Sequence, residues 1–297
     1  MSASPSAGSI GFIGLGKMGV PMARQLASHG FRVLGCDASE ELAKAALAGV
    51  PDASVANPAQ IGQACDIVIL MLPDSNVVRN VLFGADGGLS ALMKKGSIVI
   101  DMSSSDPSVT RELGAQLTQI GIRLVDAPVS GGVKRAVTGT LSIMAGGTSA
   151  DVEQVRPVLA AMGSTITETG PLGSAHAMKA LNNYVSAAGL VASCEALKIG
   201  QAFGLEPEKI VSILNSSTGK NNSTEHKLSQ FIVSGKFDSG FSLGLMKKDL
   251  SIAIGLADKL HTKTAIGTCV LDAWDGAEKL LGKAADHTEI YKILEGD

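Results

Sequence analysis

The chain has 297 residues, of which 45% are hydrophobic and 3% aromatic, with 35 glycines and a formal net charge of −3. This length accommodates two domains or one large one. The near-neutral charge and the lack of a basic run argue against a nucleic-acid partner. Abundant glycine with many aliphatic residues is typical of α/β proteins.

Residues before Ile10 contain neither a basic segment nor an apolar core, so we expect a loose tail rather than a signal peptide. Polar residues interrupt the apolar run from Val185 to Phe203, which predicts a buried helix rather than a membrane span. The cysteines are far apart and form no Cys-x-x-Cys pair, so we expect reduced core thiols in a cytoplasmic protein. They are Cys36, Cys65, Cys194 and Cys269.

The stretch from Ile10 to Asp37 has the order of a dinucleotide-binding fold: a short apolar strand, a glycine turn, a helix and a second strand that ends in a carboxylate. The turn and the start of the helix read Gly14-Leu15-Gly16-Lys17-Met18-Gly19. The first glycine permits a tight turn, the second lets the backbone approach a pyrophosphate, and the third lets the helix pack closely on the strand. The free N–H groups of the helix start then face the phosphates.

Asp37 lies eighteen residues after Gly19, where a carboxylate accepts hydrogen bonds from the adenosine ribose. Its charge repels a 2′-phosphate, and the next residues, Ala38 and Ser39, offer no arginine to reverse that effect. We therefore predict NAD as the cofactor and NADP as the less favoured one. The alternative is that Asp37 merely caps the following helix, a role that Ser39 can fill instead.

Two further strands, Asp66–Leu72 and Ser97–Asp101, are apolar runs typical of parallel strands buried on both faces. Ligands bind at the carboxyl ends of such strands, so Leu72 and Pro73 should line the cofactor. The serines that follow Asp101 can cap the next helix, or the hydroxyl of Ser104 can face the nicotinamide ribose; both roles are compatible.

The strand at Arg123–Ala127 leads into a turn that contains Ser130, Gly131 and Gly132. Such a turn offers backbone N–H groups and a hydroxyl to an anion, although it is also compatible with an ordinary connection. Because it follows a strand of the same sheet, we predict that it binds a substrate carboxylate. Further predicted elements are a strand at Leu141–Ala145, a helix at Asp151–Met162 and a strand at Thr165–Glu168.

After the turn at Gly170–Gly173 the pattern changes to helical spacing only. The predicted helices are Ser174–Phe203, Glu206–Leu214, Glu225–Ser234, Ser242–Leu260, Thr264–Lys283 and a short one near Ile290–Leu294. The fold class is thus α/β: a Rossmann dinucleotide-binding domain over 8–171, and an all-α domain over 172–297 joined to it by a long spine helix. Such a helical domain often completes its core against another subunit, so we expect a homodimer or homotetramer.

Lys179 lies in the first turns of the spine helix among small apolar residues, where partial burial would lower its pKa towards that of a useful acid or base. Asn183 lies four residues further on, on the same helix face. A lysine on a helix is by itself usually a solvated surface residue. His176 could reach the cleft, but we expect it at the helix surface or an interface.

These motifs occur in one order along the chain, and together with Lys248-Asp249-Leu250 they closely resemble the β-hydroxyacid dehydrogenase family, which includes 3-hydroxyisobutyrate dehydrogenase and tartronate semialdehyde reductase. The resemblance spans about Ser9 to Leu294 and implies oxidation of a small 3-hydroxy acid to its semialdehyde, or the reverse reduction.

The resemblance also implies roles for individual residues. Lys179 matches the catalytic lysine, and the substrate-binding positions are matched by Ser130, Gly131, Gly132 and Asn183. Cofactor-contacting positions are matched by Ser104 and Lys248, and Phe241 matches the position that closes the cleft over the nicotinamide.

The stretch Thr218–Ser223 is polar where 3-hydroxyisobutyrate enzymes carry a tryptophan. This favours a more polar substrate, such as tartronate semialdehyde, succinic semialdehyde or sulfolactaldehyde. No His, Cys or Asp cluster has metal-ligand spacing, so we predict a metal-free reaction. Two other functions remain open, a non-catalytic NAD(H)-binding scaffold and an imine reductase. Lys179 argues against both.

Overall fold

The computed structural model describes residues 8–294, which form two compact units, one ending at Lys179 and the other beginning at Ala180. The first unit is a Rossmann-type α/β unit with a nine-stranded sheet. Its strands are β1 Ile10–Ile13, β2 Val33–Cys36, β3 Ala53–Val55, β4 Ile67–Leu70, β5 Ile98–Asp101, β6 Arg123–Asp126, β7 Val129–Ser130, β8 Leu141–Gly146 and β9 Gly163–Gly170.

The helices of the first unit alternate with its strands. They are α1 Gly19–Ser28, α2 Glu40–Leu47, α3 Pro58–Ala64, α4 Ser75–Phe83, α5 Pro107–Gln119, α6 Gly132–Val137 and α7 Ser149–Ala160. The long helix α8, Ser174–Ala202, runs from this unit into the next.

The sheet order is β3-β2-β1-β4-β5-β6-β8-β7, with β9 beside β8. From β3 to β6 every pairing is parallel, and the strand ends are level because Ile13 pairs with Leu70, which pairs with Asp101. The loops after β1, β4, β5 and β6 therefore start along one edge of the sheet. This confirms the predicted parallel α/β fold, whereas β8 runs antiparallel to β6 and β7.

Apolar runs form the centre of the sheet because helices cover both of its faces. In β5 all four residues are buried, and in β4 only Ile67 is partly exposed. Two apolar clusters lie in this unit, one around Phe12 and Ile100 and the other around Val68 and Val99. Adjacent residues of one strand thus point into different clusters.

The second unit is helical, as predicted. Between Ala180 and Leu294 it contains helices and one isolated bridge between Ser242 and Asp286. After α8 come α9 Pro207–Ser216, a π-helix Thr224–Val233, α10 Leu243–Lys259, α11 Ala265–Leu281 and a 3₁₀-helix His287–Ile293. Its apolar core surrounds Trp274. No helix among residues 8–294 is both long enough and apolar enough to cross a bilayer.

Several features depart from the sequence predictions, among them the short strands β3 and β7, which were not predicted. The segment predicted as a helix from Glu225 to Ser234 is a π-helix, whose wider turns the apolar spacing does not reveal. The sequence analysis missed α4 and the six-residue α6. The cysteines are free, but Cys269 is exposed and Cys36 partly exposed, so the expectation of four core thiols is wrong for these two.

Candidate active site

The glycine turn lies between β1 and α1. Gly14 adopts φ +99°, a left-handed conformation that favours glycine, and an added Cβ there would collide with the backbone oxygen of Met71. A Cβ on Gly19 would collide with the carbonyl of Gly14, so this glycine lets α1 start directly against the turn. At Gly16 a Cβ would meet nothing within 4 Å. The protein itself therefore leaves space above Gly16.

The start of α1 lacks a side-chain cap. Met18 holds the capping position and offers no acceptor, and no acidic residue lies in the first turn. Helices α2, α3 and α4, by contrast, are each capped by a side chain, from Ser39, Asn57 and Asp74. Uncapped N–H groups with space beside Gly16 fit the pyrophosphate of a dinucleotide.

Asp37 follows the end of β2 and contacts the glycine turn. Its Oδ2 accepts a hydrogen bond from the backbone N–H of Leu15 at 2.7 Å, and its Oδ1 accepts one from Ser39 at 3.0 Å. Ser39 is the residue that caps α2. Asp37 therefore does not serve as that cap, and its carboxylate is held beside the turn.

A cavity of about 370 Å³ adjoins Asp37, between α2 and the loop that leads into α3. Its lining is Cys36, Asp37, Glu40, Ala43, Val55, Ala56, Asn57, Pro58 and Gln60. Two of these residues are acidic and none is basic. The side chains that line this cavity therefore include no cation.

The loops after β4 and β5 are linked to each other. The hydroxyl of Ser103 accepts a hydrogen bond from the backbone N–H of Leu72 at 3.0 Å. Buried Asp101 accepts bonds from the N–H of Ser103 and the hydroxyl of Ser105. The cap of α5 is Asp106, not a serine. The expected serine cap is thus wrong, whereas Ser104 remains partly exposed in the loop.

The Ser130 turn connects β7 to α6. Gly131 and Gly132 adopt φ values of +126° and +65°, which favour glycine at both positions. A Cβ on Gly131 would also collide with the side chain of Arg135. No side chain caps the start of α6. The backbone N–H groups there donate to no side-chain cap.

The start of α8 is held by a buried carboxylate. Asp126, the last residue of β6, accepts hydrogen bonds from the backbone N–H groups of Gly173 at 2.8 Å and His176 at 2.9 Å. The negative charge also lies at the positive end of the helix dipole. The position of the first turn of α8 is therefore set by the central sheet.

His176 is 1% exposed, so the expectation of a surface or interface position is wrong. Its Nε2 donates to the backbone carbonyl of Ser103 at 3.0 Å, and its Nδ1 lies 2.8 Å from the hydroxyl of Thr110. The carboxylates of Asp101 and Asp126 each lie 3.9 Å from the ring. The imidazole joins α8 to the β5 loop and to α5, which sequence spacing alone could not reveal.

Lys179 is 9% exposed, one helical turn after His176. A lysine is rarely this buried, because its charged form loses hydration. The helix start that carries it is anchored by Asp126 and His176, so Lys179 is held in a partly desolvated position rather than on a solvated surface.

In the second unit Asn183 is also buried, and its Nδ2 donates to Oδ2 of Asp249 at 2.6 Å. The other carboxylate oxygen of Asp249 is buried without a hydrogen-bond partner in residues 8–294, although Nζ of Lys248 lies 3.7 Å away. Asp249 thus fixes the amide orientation of Asn183. The motif Lys248-Asp249-Leu250 does not reveal this contact, because Asn183 lies 66 residues earlier in the chain.

Phe241 and Lys248 are both partly buried in the second unit. The ring of Phe241 packs edge-on against His287, with the ring centroids 5.6 Å apart. Their cofactor roles stay predictions.

Residues 8–294 contain no group of three or more His, Cys, Asp or Glu side chains that could hold a metal ion. A second cavity, of about 630 Å³, lies between α5 and the start of α7 and includes the ion pair of Arg123 and Asp151. None of the predicted site residues lines it, so its size alone does not mark the functional site.

Comparison with known families gives two matches. Residues 9–170 match the NAD-binding domain of 6-phosphogluconate dehydrogenase, and residues 173–294 match a domain described as the NAD-binding domain of NADP-dependent 3-hydroxyisobutyrate dehydrogenase. Together the two matches span nearly the whole described chain.

Curated relatives also match over most of this chain. A 2-(hydroxymethyl)glutarate dehydrogenase of Eubacterium barkeri is 36% identical over 96% of this chain and 94% of its own. The mitochondrial 3-hydroxyisobutyrate dehydrogenase of Rattus norvegicus is 36% identical over 87% and 78%. A 3-sulfolactaldehyde reductase of Escherichia coli is 35% identical over 91% and 90%.

Solved structures share the fold. A 3-hydroxyisobutyrate dehydrogenase of Mycobacterium tuberculosis, described with L-serine, has a TM-score of 0.89 at 29% identity and covers 98% of this chain and 100% of its own. Psf3, described in complex with NADP⁺ and 2-OPP, has a TM-score of 0.84 at 28% identity and covers 96% and 100%.

The buried network of His176 yields the first prediction. His176→Leu leaves the carbonyl of Ser103 and the hydroxyl of Thr110 without their ring partner, and each buried unsatisfied group costs about 1–3 kcal/mol. We expect the free energy of unfolding, measured by urea denaturation followed by circular dichroism, to fall by at least that amount.

The matched control is His226→Leu at an exposed histidine, which should change stability little. Equal stability of His176→Leu and the wild type would contradict the inferred role of the ring.

Proposed function

Since the chain belongs to the β-hydroxyacid dehydrogenase family, we propose that Lys179 is the residue that moves the proton in its reaction. Proteins of this kind are oxidoreductases that interconvert a small β-hydroxy acid and its semialdehyde with a nicotinamide dinucleotide, and this chain is one of them. The observation that carries the proposal is the burial of Lys179 directly after the anchored start of α8.

The proposed reaction is oxidation of a small 3-hydroxyisobutyrate-like acid, or the reverse reduction. The alternative is a more polar semialdehyde of the tartronate, succinic or sulfolactaldehyde type. The names of the relatives that act on 2-(hydroxymethyl)glutarate and 3-sulfolactaldehyde support a polar substrate. The polar stretch Thr218–Ser223 supports it less, because Asn221 has a role within the fold. Its Oδ1 accepts from the backbone N–H groups of Ser223 and Thr224, and its Nδ2 donates to the hydroxyl of Ser193.

In the proposed mechanism, the turn of Ser130, Gly131 and Gly132 binds the substrate carboxylate through its N–H groups and hydroxyl. Asn183, oriented by Asp249, holds the substrate hydroxyl beside Lys179. The nicotinamide, when bound, accepts the hydride from C3 or returns it.

Lys179 takes the hydroxyl proton during oxidation and must be neutral beforehand. In the reduction direction it donates that proton and must start protonated. The protein thus contributes orientation and one proton transfer.

We expect Lys179→Ala to lower kcat/KM for every accepted hydroxy acid by about 10²–10⁴-fold, the contribution of a positioned acid or base. Binding of NADH, measured by fluorescence titration, should persist because the glycine turn is untouched. Lys209→Ala, at an exposed lysine of α9, serves as the matched control.

Near-full turnover by Lys179→Ala would refute the proposed role of the lysine. If the wild type binds NADH but turns over no hydroxy acid or semialdehyde, a non-catalytic scaffold is favoured. Reduction of cyclic imines to secondary amines would instead favour an imine reductase.

NAD is the proposed cofactor, with NADP less favoured. The support is the acidic lining of the cavity beside Asp37 and the lack of a basic residue among the side chains that form it. A 2′-phosphate there would face the carboxylate of Asp37 without a compensating cation.

Asp37→Asn keeps an oxygen for the N–H of Leu15 but removes the charge, so it isolates the electrostatic effect. We expect the ratio of kcat/KM for NAD to that for NADP to fall about tenfold or more, since two charges near a surface interact by about 1–4 kcal/mol at close range. The same ratio in variant and wild type would contradict this origin of the preference.

A homodimer or homotetramer is the proposed assembly. The second unit exposes large apolar side chains along α8, including Val185, Ile199 and Phe203. Others lie on α9 and α11, at Ile213 and Leu280. A second copy of the chain is the proposed occupant, because such exposed apolar surface is rare on monomers.

We expect light scattering coupled to size exclusion to give at least a dimeric mass for the wild type and a smaller mass for Phe203→Glu. Leu42→Glu, at an exposed leucine of the first unit, is the control and should leave the mass unchanged. A monomeric wild type at micromolar concentration would contradict the proposal.

A further inference from the structure

Lys227 lies on the π-helix, partly buried, between exposed His226 and fully buried Leu228. Its Nζ donates to the hydroxyl of Ser186 on α8 at 3.2 Å. An ammonium has three donors, and in residues 8–294 no carboxylate forms an ion pair with this one. The residue as a whole is partly exposed.

Ser186 connects Lys227 to the proposed substrate residues. It lies three residues after Asn183 on one continuous helix, so the two side chains are neighbours on the helix surface. Lys179, Asn183 and Ser186 have the spacing i, i+4 and i+7, which is one helix face. The Lys227 ammonium is therefore one turn beyond the amide that holds the substrate.

Two titratable groups, Cys194 and Asp286, influence Lys227, and Lys227 in turn influences His287. Burial lowers the pKa of Lys227 to about 8, while Cys194 and the charge of Asp286 oppose that change. Burial raises the pKa of the Cys194 thiol to about 12. Burial, and then the charge of Lys227, lowers the pKa of His287 to about 4. Between pH 6 and 9 Lys227 is thus the member of this group that changes its charge.

Asp286 acts on Lys227 through its charge, but no ion pair joins the two side chains among the described residues. Its carboxylate accepts hydrogen bonds from the hydroxyl of Ser239, the backbone N–H of Gly240 and both donors of Thr288. These four donors, together with nearby His287, hold the carboxylate at the start of the 3₁₀-helix. The ammonium of Lys227 therefore keeps donors for a ligand.

We propose that Lys227 and Ser186 form a subsite for a negatively charged group at the far end of the substrate. The protein then selects 3-hydroxy acids, or their semialdehydes, that carry a second anionic group on the C2 substituent. This inference rests on the proposed function, because it takes Asn183 as a substrate contact.

The spacing along α8 suits such a substrate. Lys179 and Ser186 are separated by seven residues, or about 10 Å along the helix axis. An extended dicarboxylate with its hydroxyl at the first position places its distal carboxylate near the second. A methyl substituent, as in 3-hydroxyisobutyrate, would leave the Lys227 ammonium with the hydroxyl of Ser186 but with no anionic group to bind.

The test compares two substrates with the same hydroxymethyl acid group. One is 2-(hydroxymethyl)glutarate, with a distal carboxylate, and the other is 2-(hydroxymethyl)butanoate, with an uncharged ethyl arm. We expect the wild type to favour the first. Lys227→Met should lower the ratio of their kcat/KM values by about tenfold to a hundredfold, the loss of a charge-assisted hydrogen bond.

The matched control is Lys236→Met, at an exposed lysine shortly after the π-helix, which should leave the ratio unchanged. An unchanged ratio in Lys227→Met, or a wild type that favours the uncharged arm, would overturn the subsite.

A second measurement, the pH dependence of the substrate preference, uses only the wild-type protein. It therefore does not require that a variant folds. Lys227 binds an anion while it is charged, below its pKa. The wild-type kcat/KM ratio of dianion to monoanion should therefore decline as the pH rises from 7 to 9.5, and effects of Lys179 cancel in that ratio. A ratio that is constant over this range would contradict the subsite.

The two proposals fail differently. If both substrates are turned over but the ratio of their kcat/KM values changes neither in Lys227→Met nor with pH, the subsite alone is refuted. Turnover of neither substrate, with NAD or NADP and in either direction, would refute the proposed function as well.

Discussion

The carboxylate of Asp126 is the constraint on which the site depends. It ends β6 in the middle of the sheet and accepts the first free N–H groups of α8, so a strand end and a helix start are joined by one buried charge. Since helix starts leave N–H groups unsatisfied, this contact both stabilises α8 and fixes its direction. Lys179 follows this contact by about one helical turn.

His176 adds a second connection from the same turn. Through the carbonyl of Ser103 it reaches the β5 loop, and that loop in turn holds the N–H of Leu72 after β4. Three strand ends and one helix start thus belong to one hydrogen-bonded network within the first unit. This network holds the helix turn that precedes Lys179, and a fixed acid or base needs this kind of support.

Helix α8 also organises the second unit. Asn183 is oriented by Asp249, and Ser186 accepts from Lys227 one turn later. One face of the helix therefore carries the amine of Lys179, the amide of Asn183 and the hydroxyl of Ser186. That hydroxyl accepts a hydrogen bond from the amine of Lys227. Under the proposals above, Lys179 transfers the proton and Lys227 binds the distal anionic group of the substrate. Catalysis and substrate selection then depend on two different lysines.

Much of this could be predicted from the sequence, because the responsible signals are local. The glycine turn, the buried strands β4 and β5, and the long helix α8 follow from periodicity and from a few residues with special backbone requirements. The family resemblance predicts the role of Lys179 independently of its burial.

The remaining features depend on contacts between residues far apart in the chain. Nothing near His176 indicates that Ser103 and Thr110 will enclose it. The buried position of Asp249 beside Asn183 joins residues 66 positions apart. The π-helix that turns Lys227 towards Ser186 has no pattern of its own in the sequence, since it reads as an ordinary amphipathic helix.

The most direct test of the central claim is a crystal structure of the protein with NAD and an accepted hydroxy acid. The account predicts the carboxylate of the acid on Ser130, Gly131 and Gly132, and Nζ of Lys179 within about 2.6–3.2 Å of its hydroxyl. A substrate bound with its hydroxyl remote from Lys179, or with another side chain in that place, would contradict the account.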